Sequence, residues 1–168
     1  MFQPISAERI FLWLFILLFG IQLGAGLYET LVIVPLWSAS PPQSVWGWNE
    51  LRKANPQFAI DSGKRFWLFV TPAVGLLSVA ALLLGWRTAW EHRKWLIAAT
   101  LTSFIMVIIT FVYFVPSLIE LMKATPDAAN AAQVGAKAHL WRILNWGRVA
   151  FLIAAWLCAL RALQTPSY

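Results

Sequence analysis

Charge is what this chain has least of. Only 12% of its 168 residues are Asp, Glu, Lys or Arg, against about 25% in an ordinary soluble domain. Cysteine is almost missing: Cys158 stands alone, which excludes an intrachain disulfide and the usual multi-cysteine zinc or iron–sulfur site. Buried among apolar neighbours, it reads as a small hydrophobe. The two histidines, His92 and His139, are far apart in sequence, so no pair marks a haem or histidine-rich metal centre. Acids number 7 against 13 bases, a net charge of +6. In a soluble protein that excess would suggest nucleic acid. Here no basic run with interleaved aromatics stands on a polar domain, so nucleic acid is excluded as a partner. Most bases instead flank apolar stretches, as anchors at anionic lipid surfaces do.

What the chain does have is hydrophobicity, at 60% of residues. Four stretches, at about 10–36, 66–86, 95–122 and 138–163, each meet the need for about 20 mostly apolar residues to span a bilayer. The fold class expected is all-α: one integral membrane domain over 1–168, a four-helix bundle with a long Trp-rich loop between helices 1 and 2. The first stretch is too long for a signal peptide and carries Gln22 and Glu29. The loop at 37–65 holds Pro41-Pro42, three tryptophans and two basic pairs, and should form a structured cap at the membrane surface. Three bases in the eight residues 87–94 place that loop and both termini in the cytoplasm, with the protein in a bacterial inner membrane.

Arg148 is the most informative residue. About 12 apolar residues separate it from Arg161, roughly 20 Å at helical rise, well inside a core about 30 Å thick. A cation there must face protein or water and is a functional-site candidate by default. Counting up each helix by the same rise places Gln22, Glu29, Thr71, Thr110, Tyr113, Trp141 and Asn145 in the half nearest the long loop, with Ser117, Glu120 and His139 higher still. The faces agree with the depths. At 100° per residue, Gln22, Gly26 and Glu29 lie within about 60°, as do Trp141, Asn145 and Arg148. Thr110, Tyr113, Ser117 and Glu120 lie within about 80°. Burying these stripes together makes a polar upper interior. Pro35, Pro72 and Pro116 free the carbonyls of Leu31, Leu68 and Val112 in that half.

Each residue has a plain reading and a sharp one. Arg148 is either locked in a structural ion pair with Glu29 or held ready for a ligand anion. Glu29 is the acid clearly within a span and the best proton acceptor. Tyr113 and Trp141 could wall a flat apolar ligand, or serve as interfacial aromatics. His139 could move protons but stands at a helix start. Glu120 and Arg142 should snorkel to the interface. A metal set of Glu29, Glu120 and His139 would mix depths and face an opposing Arg148, so no metal site is expected.

The stretch Trp141-Arg142-Ile143-Leu144-Asn145-Trp146-Gly147-Arg148 resembles the W-x-x-L-H-x-x-R signature on the fourth helix of anthrone-oxygenase-like membrane proteins. Gly26, Glu29 and Pro35 are similar to that family's glycine, acid and proline late in the first helix, and Pro116 with Leu121 to the segment ending its third. The resemblance implies a four-helix membrane fold and, for some members, oxidation of anthrones to anthraquinones without an obvious metal motif. Asn145 stands where that family usually has histidine, and an amide cannot act as a base near neutral pH.

The expectation is therefore a membrane protein with a buried polar pocket that binds, and as an enzyme oxidises, a small flat apolar molecule such as a phenol, quinone or anthrone. Glu29, Asn145 and Arg148 would carry chemistry. Gln22, Tyr113, Trp141, Ser117 and His139 would line the pocket. The alternatives are a non-catalytic membrane subunit or small lipophile carrier with structural Glu and Arg, or a transporter, which the uniformly apolar inner half disfavours. The bilayer and a small hydrophobic molecule are the partners expected; assembly into a homo-oligomer is left open, and no motif calls for a cofactor.

Overall fold

The computed structural model describes residues 6–55 and 63–166. Helix α1 (Ala7–Tyr28) runs into a five-residue π turn, Glu29–Ile33, and then α2 (Val34–Ser38). Helix α3 (Gln43–Ala54) occupies the first connection. Helices α4 (Lys64–Leu84) and α5 (Trp90–Ile109) follow. A second π turn, Thr110–Phe114, leads into α6 (Val115–Lys123). The long α7 covers Ala131–Gln164. No strand occurs among the described residues. Four helical runs are long and apolar enough to cross a membrane: Ala7–Ser38, Arg65–Leu84, Trp90–Lys123 and Ala131–Gln164. The protein is all-α and integral to the membrane, as its hydropathy requires. Helix α7 begins seven residues before the apolar stretch that announces it, because the Ala-rich segment from Ala131 favours helix in water as well.

The two π turns share a cause. Each is followed by a proline at the second residue of the next helix, Pro35 or Pro116. Proline has no N–H, and its ring collides with the carbonyl four residues back. Adding a residue to the turn shifts that carbonyl out of line, and the widened register shows in Val34 N–H bonding Glu29 O and Val115 N–H bonding Thr110 O. Pro72 sits inside α4 with no such turn.

The chain divides into two compact units. One comprises the described parts of Met1–Gly24, Trp67–Ile108 and Ala150–Tyr168. Its core sets Leu12, Phe15, Ile16 and Phe19 against small residues Ala81, Ala99, Ala155, Ala159 and Ala162. Small side chains let membrane helices approach closely, where packing rather than water exclusion holds them. Gly85 ends α4 where a Cβ would stand 2.5 Å from Leu96 Cδ1, so only glycine fits unless Leu96 moves.

The other unit comprises the described parts of Ala25–Phe66 and Ile109–Val149. Val34, Trp37, Val45, Phe114, Leu121, Val134, Ala138 and Trp141 form its core. Trp141 meets Trp37 and Phe114 edge-on at 5.1 and 5.4 Å between ring centroids, the geometry aromatic quadrupoles favour. From α3, Asn49 Nδ2 donates to the carbonyls of Leu121 and Ala124, both at 2.9 Å. It thereby caps the open end of α6. The cap expected in the long loop is this helix, buried through Val45 and Asn49; the loop's residues 56–62 lie outside the described part.

Candidate functional site

Arg148 lies one turn after Asn145 on α7, and its Nη2 donates to Asn145 Oδ1 at 2.7 Å. Asn145 Nδ2 in turn donates to Thr30 Oγ1 at 2.9 Å, and the Thr30 hydroxyl donates to Gly26 O at 2.7 Å. Four residues thus form one continuous chain of donors from the guanidinium to a backbone carbonyl. The Phe114 ring lies beneath the cation, 4.6 Å from Cζ to the centroid. A desolvated contact of that kind is worth about 2 kcal/mol. Phe114 is itself held, since Trp141 Nε1 donates to its carbonyl at 3.1 Å. The second π turn therefore presents both the ring that supports Arg148 and the carbonyl that anchors the support.

The charge of Arg148 is fixed in place but not paired. Its Nε is buried without a hydrogen-bond partner. Glu29, at the start of the first π turn, is close enough for the two charges to act on each other through space. Among the described residues, however, no hydrogen bond or ion pair reaches the Glu29 carboxylate. A carboxylate and a guanidinium share one neighbourhood without touching. An ordinary lock between them would have closed that gap.

The other expected residues divide. Tyr113 packs edge-on against Phe114 at 5.2 Å and is half-buried. Ser117 is buried in the same unit. Trp141 is 2% exposed, inside the aromatic core. Gln22 belongs to the other unit, where its Nε2 donates to Thr71 Oγ1 at 3.3 Å and its Oε1 is left unpartnered. His139 is exposed on α7. Glu120 pairs with Lys137. Arg142 does not simply snorkel: half-buried, it donates to Ser38 O at 3.3 Å. Among the described residues no three of His, Cys, Asp and Glu gather as metal ligands.

Three features escape sequence reasoning. Thr30 sits at the edge of the first helix's polar arc, and only its contact with Asn145 reveals it. Phe114 carries no polar signal at all. The third is a buried cluster in the first unit. His92, fully buried, places Nε2 2.8 Å from Glu8 Oε1 and Nδ1 3.2 Å from Thr165 Oγ1 and 3.3 Å from its carbonyl. Because the Thr165 hydroxyl donates to Ala162 O at 2.8 Å, Nδ1–H is the donor toward Thr165, and Nε2 shares a proton with Glu8. These residues stand near the chain's ends and in the first turn of α5, beside Arg93 and Lys94, positions that hydropathy reads as surface.

One family model, described as anthrone oxygenase, matches residues 59–158. No curated protein and no solved structure matches the chain.

Proposed function

The chain belongs to the anthrone oxygenase family, and from that membership and the unpaired Arg148 we propose a site that binds a small, flat, largely apolar molecule through an oxygen bearing negative charge. The observation that carries this reading is the guanidinium itself, oriented by Asn145 and Phe114 yet without an anion bonded to it among the described residues. Fixed donors of this kind stabilise charge that develops on oxygen, with no reorganisation at the moment of reaction. Asn145 spends one amide proton on Thr30 and its oxygen on Arg148, so it chiefly positions the cation. Tyr113 faces the ring, Ser117 adds a hydroxyl, and Trp141 acts from behind by holding Phe114.

For an anthrone the chemistry follows. Glu29 takes a proton from the central methylene, and the electron pair moves onto the carbonyl oxygen, where Arg148 balances it. Dioxygen is the oxidant: one oxygen atom ends as the new carbonyl and the other leaves as water. Gln22 and His139 have no assigned part in this step.

The test is binding and turnover of anthrone by the purified protein in nanodiscs. Arg148→Gln should lower turnover by about a hundredfold, the scale of losing one oxyanion donor, and weaken binding to a smaller extent, while Glu29→Gln should keep binding and lose turnover. Anthraquinone absorbance and native mass spectrometry read the two effects separately. A folded Arg148→Gln protein that binds anthrone as the wild type does would end the proposal. A second reading, a carrier or subunit in which this network only holds helices, draws support from the continuous Arg148–Asn145–Thr30–Gly26 chain. In that case Arg148→Gln would lower the melting temperature and leave any bound molecule in place.

A further inference from the structure

A groove of about 580 Å³ opens in the second unit between the end of the first span and α7. Its walls are apolar. Leu31 and Ile143 are 61% and 53% exposed, and Trp146, 47% exposed, stands at the rim. In a membrane-spanning helix, exposed surface of that character is lipid-facing. The volume lies within the range of about 300–1,000 Å³ that ordinary ligand sites occupy.

One charge interrupts the apolar lining. Arg142 contributes a half-buried guanidinium, and no carboxylate lines the groove with it. Its hydrogen bond goes to a neutral backbone carbonyl, Ser38 O, at a long 3.3 Å. That bond fixes the side chain's direction without neutralising it. A cation held in an open apolar slot at a span's end calls for an anion with an apolar body. The surrounding bilayer supplies that chemistry: a phosphate that the planar guanidinium fork can take in two parallel bonds, continued by acyl chains that Leu31, Pro35 and Ile143 can cover.

We infer that this groove is a binding site for one anionic phospholipid, with Arg142 on the phosphate and the apolar walls on the proximal acyl chain. The site is separate from Arg148 and does not depend on the function proposed for it. Thr30 borders the groove and also accepts the Asn145 hydrogen bond, so the lipid would sit against the same network.

The test uses the full chain in detergent, titrated with dioleoylphosphatidylglycerol or dioleoylphosphatidylcholine and read by native mass spectrometry. Wild-type protein should retain one phosphatidylglycerol in preference to phosphatidylcholine. Arg142→Gln should weaken that retention about fivefold, the worth of one basic residue at an anionic surface. Ala39→Trp, which fills the groove without altering charge, should weaken it comparably and covers the case in which Arg142→Gln fails to fold. Arg93→Gln, in the first turn of α5 and outside the groove lining, should leave retention unchanged. Equal retention by wild type and Ala39→Trp would overturn the inference. So would a loss in Arg93→Gln as large as in Arg142→Gln, which would mean that general surface charge attracts the lipid.

Discussion

Glu8 and His92 illustrate how much a single polar residue depends on its partner. A buried group left without its hydrogen-bonding partner costs far more than the bond itself contributes. His92→Leu strands the Glu8 carboxylate, which is 6% exposed, and should destabilise the protein by about 3 kcal/mol. Glu8→Gln keeps an acceptor facing Nε2 and should cost about 1 kcal/mol. Thermal unfolding in nanodiscs checks both; equal melting of His92→Leu and wild type would remove any holding role from this cluster. At Arg148 the sequence was informative because an apolar run on one side fixes depth, and depth makes a cation expensive. At His92 it was silent. A histidine beside Arg93 and Lys94 looks solvated until Glu8 and Thr165 are seen against it.

At the scale of helices, the prolines and the bilayer requirement did most of the work. Four runs of apolar residues place four spans whatever their neighbours, since backbone polar groups in lipid must be satisfied within the helix. Pro35 and Pro116 marked where the first and third spans would be disturbed. They could not specify a π turn, because a freed carbonyl can be met by a kink, a water or a neighbouring side chain just as well. The short α3 was hidden for a different reason: its helix gains stability from Val45 and Asn49 docking, not from an apolar stripe of its own. Asn49→Leu removes two capping bonds and should cost about 1–2 kcal/mol. The loss should appear as faster amide exchange in the last turn of α6 before any global unfolding. Unchanged protection there would show that water satisfies those carbonyls and that Asn49 is dispensable.

For the whole molecule, four crossings with the bases of residues 87–94 held inside would put both chain ends and the loop around Arg87 on the cytoplasmic side. With Cys158 replaced by alanine, single cysteines at Gln43, Asp127 and Arg87 test this directly, all three being exposed. An impermeant maleimide added to intact cells should label the first two, and Arg87→Cys only after permeabilisation. Labelling of Arg87→Cys together with Gln43→Cys would refute the four-crossing topology. Membrane residence and the four long apolar spans were readable from residue order alone, because burial in hydrocarbon imposes a length and a charge limit on any segment. Which groups would meet was not. An angular stripe restricts a side chain to an arc, but long side chains choose among all the partners within reach. Only folding showed Arg148 turning to Asn145 and Phe114 rather than closing on Glu29, and Arg142 turning to Ser38. Those choices depend on distances of a few ångströms between helices, and helical periodicity carries no information about them.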